Sequence, residues 1–460
     1  MRNISRLNLA LLTALAFSPA LPAAPADSAD LDALREQVRA LEQQLKVISR
    51  QIEIKEEAAA AAAPTTPKIT INDKGFTLAS ADATNFIKLR GLVQLDSRLF
   101  FGDGGGIANN TFVLRRARLI TEGQFAKNYS FQFVTDFGGN SVVVQDANFT
   151  VALDKSLLFK FGKFKSPVGL EMLQADATTF FNERSLVTNL VPNRDLGVQA
   201  SGESLGGTFS YQLGVFNGVS DGASTTNTDF DNDKDVVARV FTSPFKNSLG
   251  SPVRGLSFGV SGSYGREKTT AGRTGGYRTD GQQTFFSYLA TTITDGPNWR
   301  VSPQLDYRSG SFGLLSEYVV SAVNVRASAA GKLSELRNKA WQVSVGYVLT
   351  GENSSYNGVV PANNFDLSKG TWGAFEVAGR YANLKVDDAA FPLYASPAAS
   401  AGEATSFGVG LNWYLSKAVR FTFDYYQTKF DAAPGAPATL TNAVIRQDEK
   451  SLITRFQVSF

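Results

Sequence analysis

Between Phe86 and the last residue, Phe460, one segment after another carries apolar side chains at every second position. No run reaches the eighteen or so apolar residues a helix needs to span a bilayer, so a helical membrane protein is excluded. Period two instead sends alternate side chains to opposite faces of a strand. Ile87, Leu89, Gly91, Val93 and Leu95 make an oily face against Lys88, Arg90, Leu92, Gln94 and Asp96, which are largely charged or polar. The pattern returns in Leu256, Phe258 and Val260, in Trp341, Val343, Val345 and Tyr347, in Phe407, Val409, Leu411 and Trp413, and in Leu452, Thr454, Phe456, Val458 and Phe460. The intervening residues stay small or polar, Ile453 excepted. A soluble sandwich would need a core for every oily face, whereas lipid outside and water inside account for all of them.

Sixteen such strands can be counted, many near ten residues, which is the length that crosses a bilayer at a tilt of about 45°. The expected fold is therefore all-β, a sixteen-stranded antiparallel transmembrane barrel with an aqueous lumen. Short connections (126–128, 154–156, 309–310, Lys417) alternate with long ones (165–196, 218–234, 266–298, 385–403, 431–448). This matches inner turns and outer loops. The connection 351–370 breaks the alternation, and the sixth strand, near 197–201, is short. Phe100, Phe101, Tyr129, Tyr381 and Tyr414 stand at strand ends, where interfacial girdles are expected.

Ahead of the barrel the pattern changes twice. Arg2 and Arg6 precede the apolar run Leu7 to Phe17, and Ala24 and Ala26 form a small-residue cleavage site, so 1–26 reads as a signal peptide. Residues 27–57 carry Leu31, Leu34, Val38, Leu41, Leu45, Ile48 and Ile52 at alternating spacings of three and four, a heptad seam. An isolated helix of this size is marginal in water, so the seam implies either partners, most simply the same segment of other protomers, or packing on its own barrel. Residues 58–85 are a linker and pre-barrel segment, and 86–460 form the barrel.

Composition narrows the function. Cysteine and histidine are absent, which removes thiolate nucleophiles, the usual zinc ligands and the commonest general base. No catalytic residue, cofactor or metal ligand set is expected, nor a nucleic-acid partner. The four alternate aspartates Asp229, Asp231, Asp233 and Asp235 lack the glycine of a calcium loop and read as a solvated acidic loop. The formal charge of +3 falls to 43 bases against 42 acids without the signal segment, so placement matters more than bulk charge.

Several motifs carry a resemblance. They are FVLRRARL at 112–119, FGKFKSPVGLE at 161–171, FNERSLV at 181–187, VPNRDLGVQ at 191–199, LTGENSSYNG at 349–358, KGTWGAFEVAGRYANL at 369–384 and LNWYLSKAVRFTFDY at 411–425. With them the chain resembles the phosphate-selective porins O and P over nearly everything after the signal peptide. The resemblance implies a trimeric outer-membrane porin whose third loop, here 165–196, folds inward and narrows the channel. It maps the constriction onto Arg115, Arg116, Asp146 and Arg184. Two aromatic positions of the family become Arg118 and Lys165, while its pocket lysine and a serine fall on Met172 and Ala175. Positive charge is kept and donors are lost.

The expected function is a water-filled channel for small inorganic anions, with phosphate or pyrophosphate among them. The alternatives are a general diffusion porin without phosphate selectivity, or a structural or adhesive barrel. Lys88 and Arg90 are expected to face the lumen. Arg116 and Arg118 share a face with Glu122 and Gln124, and two readings of them stand: a filter for anions, or bridges to Asp146 and loop carboxylates that pin the loop. Arg266, Lys268, Arg273 and Arg278 form either an outer anion funnel or ordinary surface charge.

Overall fold

The computed structural model describes residues 28–62, 66–101, 108–139, 141–226, 228–269, 275–437 and 448–460. The signal segment 1–26 and Arg273 lie outside the described residues. The chain divides at Thr66 and Pro67 into two units.

Among its described residues the first unit contains one helix, α1 (Ser28–Ala62). It runs beyond the expected end at residue 57 because alanine has the best helix propensity of any residue, and Ala58–Ala62 continue the turn. The seam is open in this single chain: Leu34, Leu41 and Leu45 are 60%, 59% and 65% exposed.

The second unit opens with a hairpin, β1 (Lys68–Asn72) and β2 (Gly75–Ala79), whose second strand pairs with the start of the barrel. The wall follows as β3 (Phe86–Phe101), β4 (Thr111–Phe125), β5 (Tyr129–Asp136), β6 (Val143–Asp154), β7 (Leu157–Lys165), β8 (Arg194–Ser204), β9 (Phe209–Phe216), β10 (Asp235–Thr242) and β11 (Leu256–Lys268). A short hairpin, β12 (Gly276–Arg278) and β13 (Thr284–Ser287), interrupts it. The wall resumes with β14 (Ile293–Ser309), β15 (Phe312–Arg326), β16 (Ser334–Val348), β17 (Ala374–Lys385), β18 (Ala401–Tyr414), β19 (Val419–Ala432) and β20 (Glu449–Ser459). Each wall strand pairs antiparallel with the next, and β20 closes on β3 from Lys450 opposite Phe101 to Ser459 opposite Leu92. Closure leaves no free edge, the condition for strands to cross lipid. The sixth wall strand, β8, is a full eleven residues, longer than its sequence pattern suggested.

The faces sort as the alternation requires, but inverted relative to a soluble protein. Val93, Leu95, Phe258, Val260, Phe407 and Val409 are each between 42% and 48% exposed on the outside. Gln94, Asp96, Gln342, Ser406, Asn412 and Arg455 are at most 1% exposed inside. Phe101, Tyr129 and Tyr381 face outward as girdle residues should. Tyr414 does not: it points inward and its hydroxyl donates to Glu376 at 2.8 Å.

The apolar core sits inside the barrel on one side. Between β7 and β8 the loop 166–193 turns into the lumen, carrying a one-turn helix, α2 (Leu170–Leu173). Its Val168, Leu186, Val187, Leu190 and Val191, each no more than 1% exposed, pack in one cluster with Val319 and Val323 of β15, Ala340 of β16 and Ala382 and Leu384 of β17. Burying each valine or leucine contributes about 1.5–3 kcal/mol, enough together to hold a loop of this length. Polar ties reinforce it, since Glu317 accepts from the backbone N–H of Leu170 at 2.6 Å and of Glu171 at 3.1 Å. The irregular connection 349–373 reaches the same loop from the end with the short turns: the Tyr356 hydroxyl donates to the Leu170 carbonyl at 2.7 Å, and its carbonyl accepts from Gln174.

Candidate functional site: a narrowing lined by arginines

A strand sends neighbours to opposite faces, so Arg115 and Arg116 should not both reach the lumen. They do because β4 carries one extra residue there: Arg116 pairs with Gln94 and Leu114 with Leu95, leaving Arg115 unpaired. Such bulges re-aim side chains. A second one, where Val134 pairs with Asp146 but Thr135 with Val144, adds Gln145 beside Asp146.

The arginines converge on two carboxylates from the inward loop. Glu183 accepts from Arg115 at 2.6 and 3.0 Å, from Arg455 at 2.9 Å and from Arg98 at 3.3 Å. Asp96 holds Arg455 and Arg98 from the wall, at 2.6 and 3.1 Å. Asp176 forms ion pairs with Arg116 at 3.4 Å and, closer, with Arg118 and Arg184. Arg118 also donates to Asp136 at 2.7 Å. Burial by itself would raise both loop carboxyls. The guanidiniums outweigh it, Arg115 and Arg455 for Glu183 and Arg116, Arg184 and Arg118 for Asp176, and both are held well below their ordinary range.

The anticipated site residues divide. Arg115, Arg116, Arg118 and Arg184 meet in this narrowing and line a common cavity of about 870 Å³ on the side of the outer loops. Asp146 pairs with Arg194 at 3.1 Å and not with Arg116 or Arg118; of their anticipated partners these two meet the loop carboxylate, Asp176, and Arg118 adds Asp136 of the wall. Lys165 is turned to the loop, donating to the carbonyls of Met172 at 2.7 Å and Gln174 at 2.8 Å. Lys88 and Arg90 do face the lumen, but at the short-turn end, where both pair with Glu122 at 3.1 and 2.8 Å. With Lys74, Lys417 and Arg420 they line a second cavity of about 310 Å³. Met172 and Ala175 supply no side-chain donor, and Met172 packs into the apolar cluster.

Asp176, Glu183, Arg98, Arg455 and Arg194 escaped sequence reasoning as site members. Arg455 stands on the polar face of the last strand, and Asp176 and Glu183 lie in the one long loop already marked as inward, so charge on those faces was the available signal.

A second outer connection also enters the barrel. Asn189 of the inward loop exchanges hydrogen bonds of 2.9 Å with the backbone of Arg278 on the β12/β13 hairpin. At that hairpin's tip Thr279 donates to Glu449 at 2.7 Å, and Asp280 accepts from Arg380 and Ser406. Arg278 thus lines the outer cavity, whereas Arg266 and Lys268 fall on the outer face of β11 and are exposed. Asp229 and Asp231 cap their own loop, and Asp231 also accepts the Lys268 N–H at 2.8 Å.

Comparison with known proteins agrees with this architecture. A family model described as phosphate-selective porin O and P matches residues 87–460. Porin O of Pseudomonas aeruginosa is 24% identical over 426 residues, covering 85% of this chain and 92% of that protein. Among solved structures, the outer membrane channel DcaP of Acinetobacter baumannii aligns with a TM-score of 0.52 at 14% identity, over 82% of this chain and 98% of its own. OmpT of Vibrio cholerae, an outer membrane protein described in its trimer form, aligns at 0.51 and 12%, over 82% and 100%.

Proposed function

The chain belongs to the phosphate-selective porin O and P family, and on that premise we propose that it is a porin through which small anions cross the outer membrane passively. One observation carries the reading. Six guanidiniums, of Arg98, Arg115, Arg116, Arg118, Arg184 and Arg455, face four carboxylates, of Asp96, Asp136, Asp176 and Glu183, so the narrowing holds two surplus positive charges. In a narrow passage between low-dielectric walls that surplus lowers the barrier to anions and raises it to cations. The basic cavity around Lys74, Lys88, Arg90, Lys417 and Arg420 continues the same sign at the other end.

Phosphate fits the family description. The absence of side-chain donors at Met172 and Ala175, and the engagement of Arg116, Arg118 and Arg184 with Asp176, favour general anion passage over tight phosphate capture. The barrel is further proposed to assemble as a homotrimer, the exposed seam of α1 being covered by copies of itself.

Single-channel currents in planar bilayers under a chloride gradient test the reading, followed by titration with phosphate. Anion-selective current is expected. Cation selectivity, or no current from folded protein, would overturn it.

A further inference from the structure

Asp176 stands where the arginines of the narrowing would hold an anion in transit. Its two oxygens take up three guanidiniums: Arg116 and Arg184 at Oδ1 and Arg118 at Oδ2. The three come from different places, two from the wall strand β4 and one from the loop, and converge on the side of the outer cavity that an entering solute meets. A carboxylate at such a convergence has the charge and the hydrogen-bonding edge of a small oxyanion. Arg116 is not saturated by it: its Nε, in a residue only 6% exposed, has no acceptor among the described residues.

Asp176 is not needed to hold the loop down. The fully buried Val187, Leu190 and Val191 anchor it, as do Glu171 bonding Ser185 at 2.9 and 2.7 Å and Asn182 bonding Asp424 and the Ile453 carbonyl. The Asp176 carboxylate adds contacts to the arginines and leaves the loop's position to these others.

We propose that Asp176 is a tethered counter-anion that occupies a three-arginine oxyanion site, so that permeating anions are drawn to the narrowing but not captured there. A group attached to the chain competes at an effective concentration in the millimolar range or above, whatever is dissolved outside. A free oxyanion must displace it to make the same contacts. The consequence is a channel of high flux and low affinity, and removal of one carboxylate would convert it into a channel that binds phosphate. The proposal rests on the anion-porin reading.

The test is block of chloride current by inorganic phosphate in the parent protein and in Asp176→Asn and Asp176→Ala, with Asp176→Glu keeping the charge. Folding is read separately from the compact electrophoretic band of unheated barrel. The neutral variants are expected to be blocked at phosphate concentrations at least tenfold lower than the parent, and Asp176→Glu at close to the parent value. Unchanged block in folded neutral variants would overturn the proposal while a parent that stays anion-selective keeps the broader reading. Failure of both neutral variants to fold would also overturn it, by making Asp176 a structural pin. A parent that is not anion-selective would instead remove the premise.

Discussion

Arg115 grips Glu183 through two N–H groups, Nε at 2.6 Å and Nη2 at 3.0 Å, while its immediate neighbour Arg116 reaches a different carboxylate, Asp176, at 3.4 Å. One bulge therefore lets two adjacent residues of the wall contact two separate points of the inward loop. The narrowing is a lattice of charges shared between wall and loop, with a mechanical side at Glu183 and an electrical side around Asp176.

The mechanical side is tested at Glu183. Arg455 is fully buried and Arg98 nearly so, and both share Glu183 with Arg115. Glu183→Gln would leave Arg98 and Arg455 with Asp96 and Arg115 without its ion-pair partner, and loss of a buried partner costs about 3–5 kcal/mol. Because Asp96 stays, the low end is expected. The temperature at which unheated barrel loses its compact electrophoretic band should fall; an unchanged temperature would mean that the lattice contributes nothing to stability.

Acid should act on the same contacts. Glu183 and Asp176 titrate in the native protein well below their ordinary values of 4.5 and 3.8, so the unfolded chain takes up protons first as pH falls. Their contribution is complete above those ordinary values and is lost progressively below them, as pH drops toward the depressed native values. Stability measured between pH 7 and 5 should be flat with respect to these two groups. A decline below about 4.5 is expected, smaller in Glu183→Gln than in the parent.

The electrical side is tested by Arg116→Gln with Arg118→Gln. The group formed by Arg116, Arg118, Arg184, Asp136 and Asp176 then changes from one surplus positive charge to one surplus negative charge. By Coulomb's law, a unit charge about 7 Å from the ion path at an effective dielectric of about 40 contributes about 1.2 kcal/mol, so selectivity should change several-fold per charge. The reversal potential in a potassium chloride gradient should move toward or past zero. If it stays at the parent value, the filter lies elsewhere in the lumen.

Much of this architecture is legible in the sequence, for physical reasons that also mark where legibility stops. The strand faces are set by lipid and water, which act on every residue in turn, so Lys88, Arg90 and Gln94 are placed inward by alternation alone. The same alternation puts Tyr414 inside, because its neighbour Trp413 is outside; composition at the strand end suggested a girdle residue, and the lumen contact to Glu376 prevailed. The bulge at Arg115 is a property of two paired strands and leaves no trace in one. Asp176 and Glu183 are positioned by contacts between the loop and wall strands that lie far off in the chain, 58 residues away for Arg118 to Asp176 and 272 for Arg455 to Glu183. Short-range patterns carry no record of such pairings.

Closure of the barrel rests on another long-range pair, and it yields the sharpest steric prediction. Gly91 and Phe460 exchange backbone hydrogen bonds, at 2.8 Å from the Gly91 N–H and 3.1 Å in return. The terminal ring lies over the glycine, and a Cβ built on Gly91 would come within 2.6 Å of it. Gly91→Val must therefore displace the ring, a misfit of the kind that costs about 1–3 kcal/mol. The seam between first and last wall strands is where the loss falls, so the folded fraction in detergent micelles should drop. Phe460→Ala in the same background removes the clash and should recover part of that loss, giving a double variant less impaired than the sum of the two single changes. If the losses simply add, the ring and the glycine do not interact, and the account of closure given by this pair fails.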